Sequence, residues 1–145
     1  MQELKVAVGD ETVFSKTVGE SDVYLFAGIT GDFAPNHVNE DFMGRTRFAR
    51  RQAHGALMVG FMSTGAGLMA QRTSDPEGEI ALSAGYDRIR FTAPVYIGDT
   101  VSVTYRITAV DHTRRRATAD VRIVNQDGTL VAVATHVLAW VPAAG

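Results

Sequence analysis

Residues 52–71 carry no Asp, Glu, Lys or Arg, although charged residues make up 21% of the chain. An uncharged run of that length has two outlets, a bilayer or a protein interior. Its content excludes the bilayer. Gln52, His54, Ser63, Thr64 and Gln71 are polar, and Gly55, Gly60, Gly65 and Gly67 weaken helix propensity. The strongly apolar members are Leu57, Met58, Val59, Phe61, Met62, Leu68 and Met69. The run therefore predicts a core helix over 55–71, enclosed by whatever the rest of the chain forms. Gly60, Gly65 and Gly67 would let its backbone approach that enclosure closely.

The enclosure is predicted by the second half, where period-2 alternation replaces helical spacing from Ile80 onward. Val101, Val103, Tyr105, Ile107 and Ala109 share one strand face, and Ala117, Ala119, Val121 and Ile123 repeat the pattern. Asp127-Gly128 marks a hairpin, and Gly98-Asp99 turns the chain between two earlier strands. Residues 130–141 are apolar on both faces, which predicts a central strand covered on one side by the helix and on the other by a second subunit. Upstream, residues 12–18 read as a first strand, and Ser21 as the N-cap of a short helix that residues 28–35 break. Asn39 caps a further turn, and residues 74–78 form a surface turn. One long helix followed by consecutive antiparallel strands implies an α+β layer in which the sheet curls around the helix.

No linker or repeat divides the 145 residues, so 1–145 is read as one domain, large enough to bury roughly 68% of its unfolded surface without staples. The absence of cysteine removes thiolate zinc sites, iron–sulfur clusters and cysteine nucleophiles. A formal charge of −2 argues against nucleic acid as a partner. No signal peptide is visible at the amino terminus, so cytoplasm is the expected compartment, with no membrane partner. His112 and His136 match no metal-ligand spacing, and no metal is expected.

The segment with chemical content is Gly31-Asp32-Phe33-Ala34-Pro35-Asn36-His37-Val38-Asn39. On one continuous helix, Asp32 and His37 would stand about 140° apart. Pro35 makes a turn the better expectation, and a turn can aim both side chains at one point. A carboxylate and an imidazole gripping one water can remove and return protons near neutral pH. Read alone, the pair fits a turn carboxylate and a helix-entry imidazole equally well.

The segment resembles the hydratase 2 motif of MaoC-like (R)-specific enoyl-CoA hydratases, Gly-Asp-x-Asn-Pro-aliphatic-His-x-Asp/Asn. Phe48-Ala49-Arg50-Arg51-Gln52-Ala53-His54-Gly55 is similar to the family's second signature. Phe91-Thr92-Ala93-Pro94-Val95-Tyr96-Ile97-Gly98-Asp99 is similar to its Phe-x-x-Pro-Val-x-x-Gly-Asp connection. The resemblance covers roughly residues 8–140 in family order. It implies a hot-dog fold and a hydro-lyase that adds water to a 2-enoyl thioester, giving the (R)-3-hydroxyacyl thioester, and runs in reverse as a dehydratase. Asp32 and His37 would be the catalytic dyad, and the Gly55 N–H would bind the thioester oxygen. Ser63 would lie near the acyl group. His54 is expected to support the loop. Arg45, Arg47, Arg50 and Arg51 are candidates for the phosphates of coenzyme A or a carrier-protein arm, Arg50 and Arg51 foremost, while Arg114-Arg115-Arg116 reads as a solvated turn. No cofactor is implied beyond coenzyme A as part of the substrate, and a homodimer or higher even-numbered assembly is. The departure is at Ala34 and Asn36, where the family has Asn and an aliphatic residue. It keeps two alternatives open, a hot-dog acyl-CoA thioesterase and a non-catalytic acyl-thioester-binding subunit.

Overall fold

The computed structural model describes residues 3–144. A first strand β1 (Glu11–Thr17) leads into helix α1 (Glu20–Thr30), two short helices α2 (Pro35–Val38) and α3 (Glu40–Gly44), and the long helix α4 (Gly55–Thr73). Four strands follow: β2 (Glu79–Phe91), β3 (Thr100–Asp111), β4 (Arg116–Val124) and β5 (Leu130–Pro142). They form one antiparallel sheet of order β1-β3-β4-β5-β2. The sheet curves around α4, which packs against every strand. Among the described residues no helix is long and apolar enough to cross a membrane.

The core lies between α4 and the concave face of the sheet, where Met58, Phe61, Met62, Ala66 and Met69 meet Val101, Val103, Tyr105, Ile107, Val121 and Leu138. The uncharged run is uncharged because the sheet encloses it. Gly65 is the glycine that permits close approach, since a Cβ there would lie 3.1 Å from Tyr105 Cβ. Gly60 and Gly67 meet nothing within 4 Å, so the expectation fails for those two. Strand β5 lies between β4 and β2, as its doubly apolar pattern predicts. Its inward residues are buried, while Val133 and Val137 remain partly open on the outer face.

Other expectations need correction. Only β3, β4 and β5 form a meander: β2 pairs with β5 at one edge, so β4 and β5 separate it from β3, which is flanked on its other side by the edge strand β1. The Gly98-Asp99 turn therefore ends a crossover, with Gly98 at φ 98° donating its N–H to Val18. Ala109 is exposed, because a register shift after Ile107 breaks the alternation. Helix α1 is capped by Gly19, whose N–H donates to the Asp22 carboxylate at 2.7 Å, while Ser21 lies inside the helix. That helix runs through Gly28 and stops at Gly31, whose φ of 80° is the left-handed conformation glycine adopts cheaply. Arg115 is not solvated, because it is turned inward onto Glu79.

Candidate active site

Asp32 follows the helix-ending Gly31, and its placement is local. The Ala34 N–H donates to Asp32 Oδ1 at 3.2 Å, an Asx turn that leaves Oδ2 free. Pro35 then occupies the first position of α2, where its missing N–H costs nothing. The single turn of α2 carries His37 inward, so that it is buried while Asp32 stays half exposed. His37 Nδ1 lies 2.7 Å from the Gln52 carbonyl oxygen. A carbonyl only accepts, so Nδ1 carries the proton and neutral His37 presents a lone pair at Nε2. Nε2 stands 4.0 Å from Asp32 Oδ2. Two acceptors each about 2.8 Å from one tetrahedral water would stand roughly 4.4 Å apart, so the gap accepts a water that bonds to both.

The third element is the start of α4. Gly55 is its first residue and faces the same cavity as His37, a space of about 400 Å³ whose walls also include Asn36, Arg47, Met58, Phe91 and Val131. The first N–H groups of a helix lack intrahelical partners and sit at the positive end of its dipole. A Cβ at Gly55 would lie 2.7 Å from the Phe91 ring, so any other residue there must displace that half-exposed ring. The cavity thus brings His37, with Asp32 behind it at 4.0 Å, together with a helix-start N–H of the kind suited to a developing oxyanion.

His54, the residue before Gly55, is buried and touches both members of the pair. Its Nε2 lies 2.9 Å from the Asp32 carbonyl oxygen, and its ring stacks on His37 with centroids 3.8 Å apart. Asp32, His37 and His54 bring ligand atoms within 4.8 Å of one another, a spacing an ion would accept. The two rings are inclined by only 25°, so their in-plane lone pairs run side by side rather than converging on one ion.

The remaining candidates separate. Ser63 is exposed on α4 and lies outside this cavity, facing Tyr86, whose hydroxyl burial pushes up and Ser63 pulls back. Arg51 is committed to protein partners: its guanidinium donates to Glu20 and Glu40 at 2.5 Å and to the Tyr24 hydroxyl at 2.9 Å. Bonding to Arg51 lowers the Glu20 pKa below its ordinary value. Arg50 instead stacks over Tyr96 at 4.0 Å, Arg47 lies over Phe48 on the cavity wall, and Arg45 pairs with Asp41 on the surface. The structure thus brings Asp32, His37 and Gly55 together, leaves Arg47 on the cavity wall and stacks Arg50 on Tyr96 outside it. Sequence reasoning did not find the Gln52 carbonyl or Phe91, because a backbone acceptor carries no residue signature and a ring contact from β2 requires the fold.

A curled antiparallel sheet wrapped around one long helix defines a hot-dog-fold protein. The MaoC-like domain pattern matches residues 4–129, and the chain belongs to that family. It is 42% identical over 102 residues to an (R)-specific enoyl-CoA hydratase of Rhodospirillum rubrum, an alignment taking in 70% of this chain and 66% of that protein, just under two thirds. It is 32% identical to the (R)-specific enoyl-CoA hydratase of Aeromonas caviae, over 90% of this chain and 92% of that one. The solved structure of the Aeromonas caviae (R)-hydratase superimposes with a TM-score of 0.81 at 29% identity, covering 93% of this chain and 97% of that one.

Proposed function

We propose that this protein hydrates trans-2-enoyl-CoA to (R)-3-hydroxyacyl-CoA and catalyses the reverse dehydration. One observation carries the reading: the Asp32–His37 gap that accepts a water and the Gly55 helix start belong to one site, with His37 and Gly55 on the walls of one cavity. In the forward direction the water oxygen bonds to C3 of the enoyl group. The dyad takes one proton from that water and a proton is returned to C2, so the product gains H and OH across the former double bond. Removal and return are shared by Asp32 and His37, which both face the same water. Charge building on the thioester oxygen during attack is met by the Gly55 N–H and the positive end of the 19-residue helix α4. Water held on one face delivers oxygen and proton to that face, which gives syn addition; the (R) configuration is proposed on the likeness to the two (R)-specific relatives.

Arg47, on the cavity wall, is the proposed partner of the coenzyme A phosphates, with Arg50, stacked on Tyr96, as the second candidate, whereas Arg51 holds α1 and α3 together. No cofactor enters the chemistry. The working form is an even-numbered assembly of this chain, supported by the open edge of β2, where Leu82 is 49% exposed, and by the partly open apolar residues of β5. The cytoplasm is the proposed compartment.

The test follows enoyl absorbance and free thiol together on a panel of enoyl-CoA substrates, with chiral analysis of the product. Absorbance loss without thiol and an (R) product are expected. Thiol release at the rate of absorbance loss would mean attack on the carbonyl, which is thioesterase chemistry.

A further inference from the structure

We propose that His54 is the positioning residue of this site: by bonding the backbone of Asp32 and lying flat on the ring of His37, it sets the gap in which the reacting water sits. The inference rests on the hydratase reading and assigns the residue that holds the dyad.

Three observations carry it. His54 is 1% exposed and is absent from the cavity walls, so it works behind the reacting groups rather than on the substrate. Its Nε2 must carry a proton, because the partner at 2.9 Å is the Asp32 carbonyl oxygen. This fixes the tautomer and ties the Asp32 peptide to the start of α4. The same ring lies 3.8 Å from that of His37 and 4.7 Å from that of Phe26, so it is wedged between α1 and the dyad. His37 has its Nδ1–H fixed by the Gln52 carbonyl, but one hydrogen bond leaves rotation about its own axis free. The stacked His54 ring removes that rotation. Among the described residues Nδ1 of His54 is buried without a hydrogen-bond partner, so the ring is held there by Nε2 and its ring contacts.

Removing the ring frees both the Asp32 peptide and the His37 plane. The 4.0 Å separation between Oδ2 and Nε2 is then set by neither. Reaction rates respond to misplacement on the order of 1 Å by factors of about 100. His54 acts through the dyad, so the loss belongs in kcat and not in substrate binding.

The test measures hydration of a short enoyl-CoA by wild type and by His54→Ala, His54→Gln and His54→Phe, with thermal midpoints for each. Gln keeps a donor near the Nε2 position, and Phe keeps the flat face. The expected result is a kcat loss of about 30-fold or more in His54→Ala with KM within about threefold, and smaller losses in Gln and Phe than in Ala. The double variant His37→Gln with His54→Ala should fall short of the product of the two single losses by at least about tenfold, because the two residues act as a unit. A merely structural residue would give additive losses. The proposal is overturned by additivity, by a loss confined to KM, or by His54→Phe matching wild type. If His54→Ala does not fold, the Gln and Phe variants carry the same decision. Wild-type turnover lost in Asp32→Asn but intact in every folded His54 variant overturns this inference alone. Absence of hydration by wild type overturns the hydratase reading itself.

Discussion

Burial makes His136 a measurable acid-sensitive element of the fold. It is fully buried on β5, with Nε2 2.7 Å from the Ser83 hydroxyl and Nδ1 2.8 Å from the Tyr105 hydroxyl. Burial pushes its pKa from 6.5 down to about 4 and pushes the Tyr105 hydroxyl well above the usual range. Both groups are therefore neutral in the folded protein near pH 7, and one N–H and one lone pair of the imidazole serve the two hydroxyls. In the unfolded chain His136 takes a proton near pH 6.5. Between the two values the unfolded state binds more protons, so this contribution to stability is complete above about 6.5 and is lost as pH falls toward about 4. Linkage puts the loss between pH 7.5 and pH 5 at about 2 kcal/mol. The perturbation is His136→Gln, which cannot titrate. It should be less stable than wild type at pH 7.5, because it leaves the Tyr105 and Ser83 hydroxyls imperfectly paired, yet flatter in its pH response. Urea unfolding at fixed protein concentration, at both pH values, reads the difference. A pH-dependent loss that agrees between the two proteins to within about 0.5 kcal/mol would refute the assignment to His136.

Asp32→Asn and His37→Gln should each lower hydration by about 100-fold or more with the thermal midpoint little changed, since neither group is needed for the core; near wild-type turnover in either sinks the dyad. Gly55→Ala places a methyl against the Phe91 ring, which is 53% exposed and can swing away, so kcat/KM should fall by about tenfold while stability changes by less than about 1 kcal/mol. Arg50→Ala should raise KM for enoyl-CoA by about fivefold and spare the shorter N-acetylcysteamine thioester, whereas Arg51→Ala should leave KM within about twofold and lower the midpoint by about 2 to 4 °C. Asn36→Ala should change the preference among acyl groups by more than about threefold without lowering the best rate beyond that, as measured on a substrate panel.

Much of this site was legible in the sequence because its chemistry-bearing residues fall in one short segment and their spacing is punctuated by Pro35 and Gly31. The core helix was legible for a different reason: an uncharged run must be enclosed, and the alternating strands supplied the enclosure. Strand order was not, because β2 and β3 are neighbours in sequence but are separated by β4 and β5 in the sheet. Nothing in residues 92–99 distinguishes a crossover from a hairpin. The surroundings of each arginine were not legible either. Arg50 and Arg51 look alike on paper, yet one stacks on Tyr96 and the other is spent on Glu20 and Glu40, and that difference arises only when α1, α3 and the pre-α4 segment converge.

That convergence also explains how the site accommodates Ala34 where the family has Asn. The Asp32–His37 loop is held by two residues just before α4: the Gln52 N–H donates to the Asn36 carbonyl at 2.9 Å, the Gln52 carbonyl accepts from His37, and His54 donates to the Asp32 carbonyl. Asp32 Oδ1 is already satisfied by a backbone N–H, that of Ala34 itself, a contact any residue but proline supplies. A side-chain amide at position 34 is therefore dispensable for orienting the carboxylate. The amide that this chain does carry, Asn36, lies on the cavity wall beside the reacting groups, with only its backbone engaged in holding the loop. The exchange of Asn for Ala and of an aliphatic residue for Asn thus moves an amide from position 34 to the cavity wall, where it would bear on what the cavity accepts rather than on the spacing of Asp32 and His37.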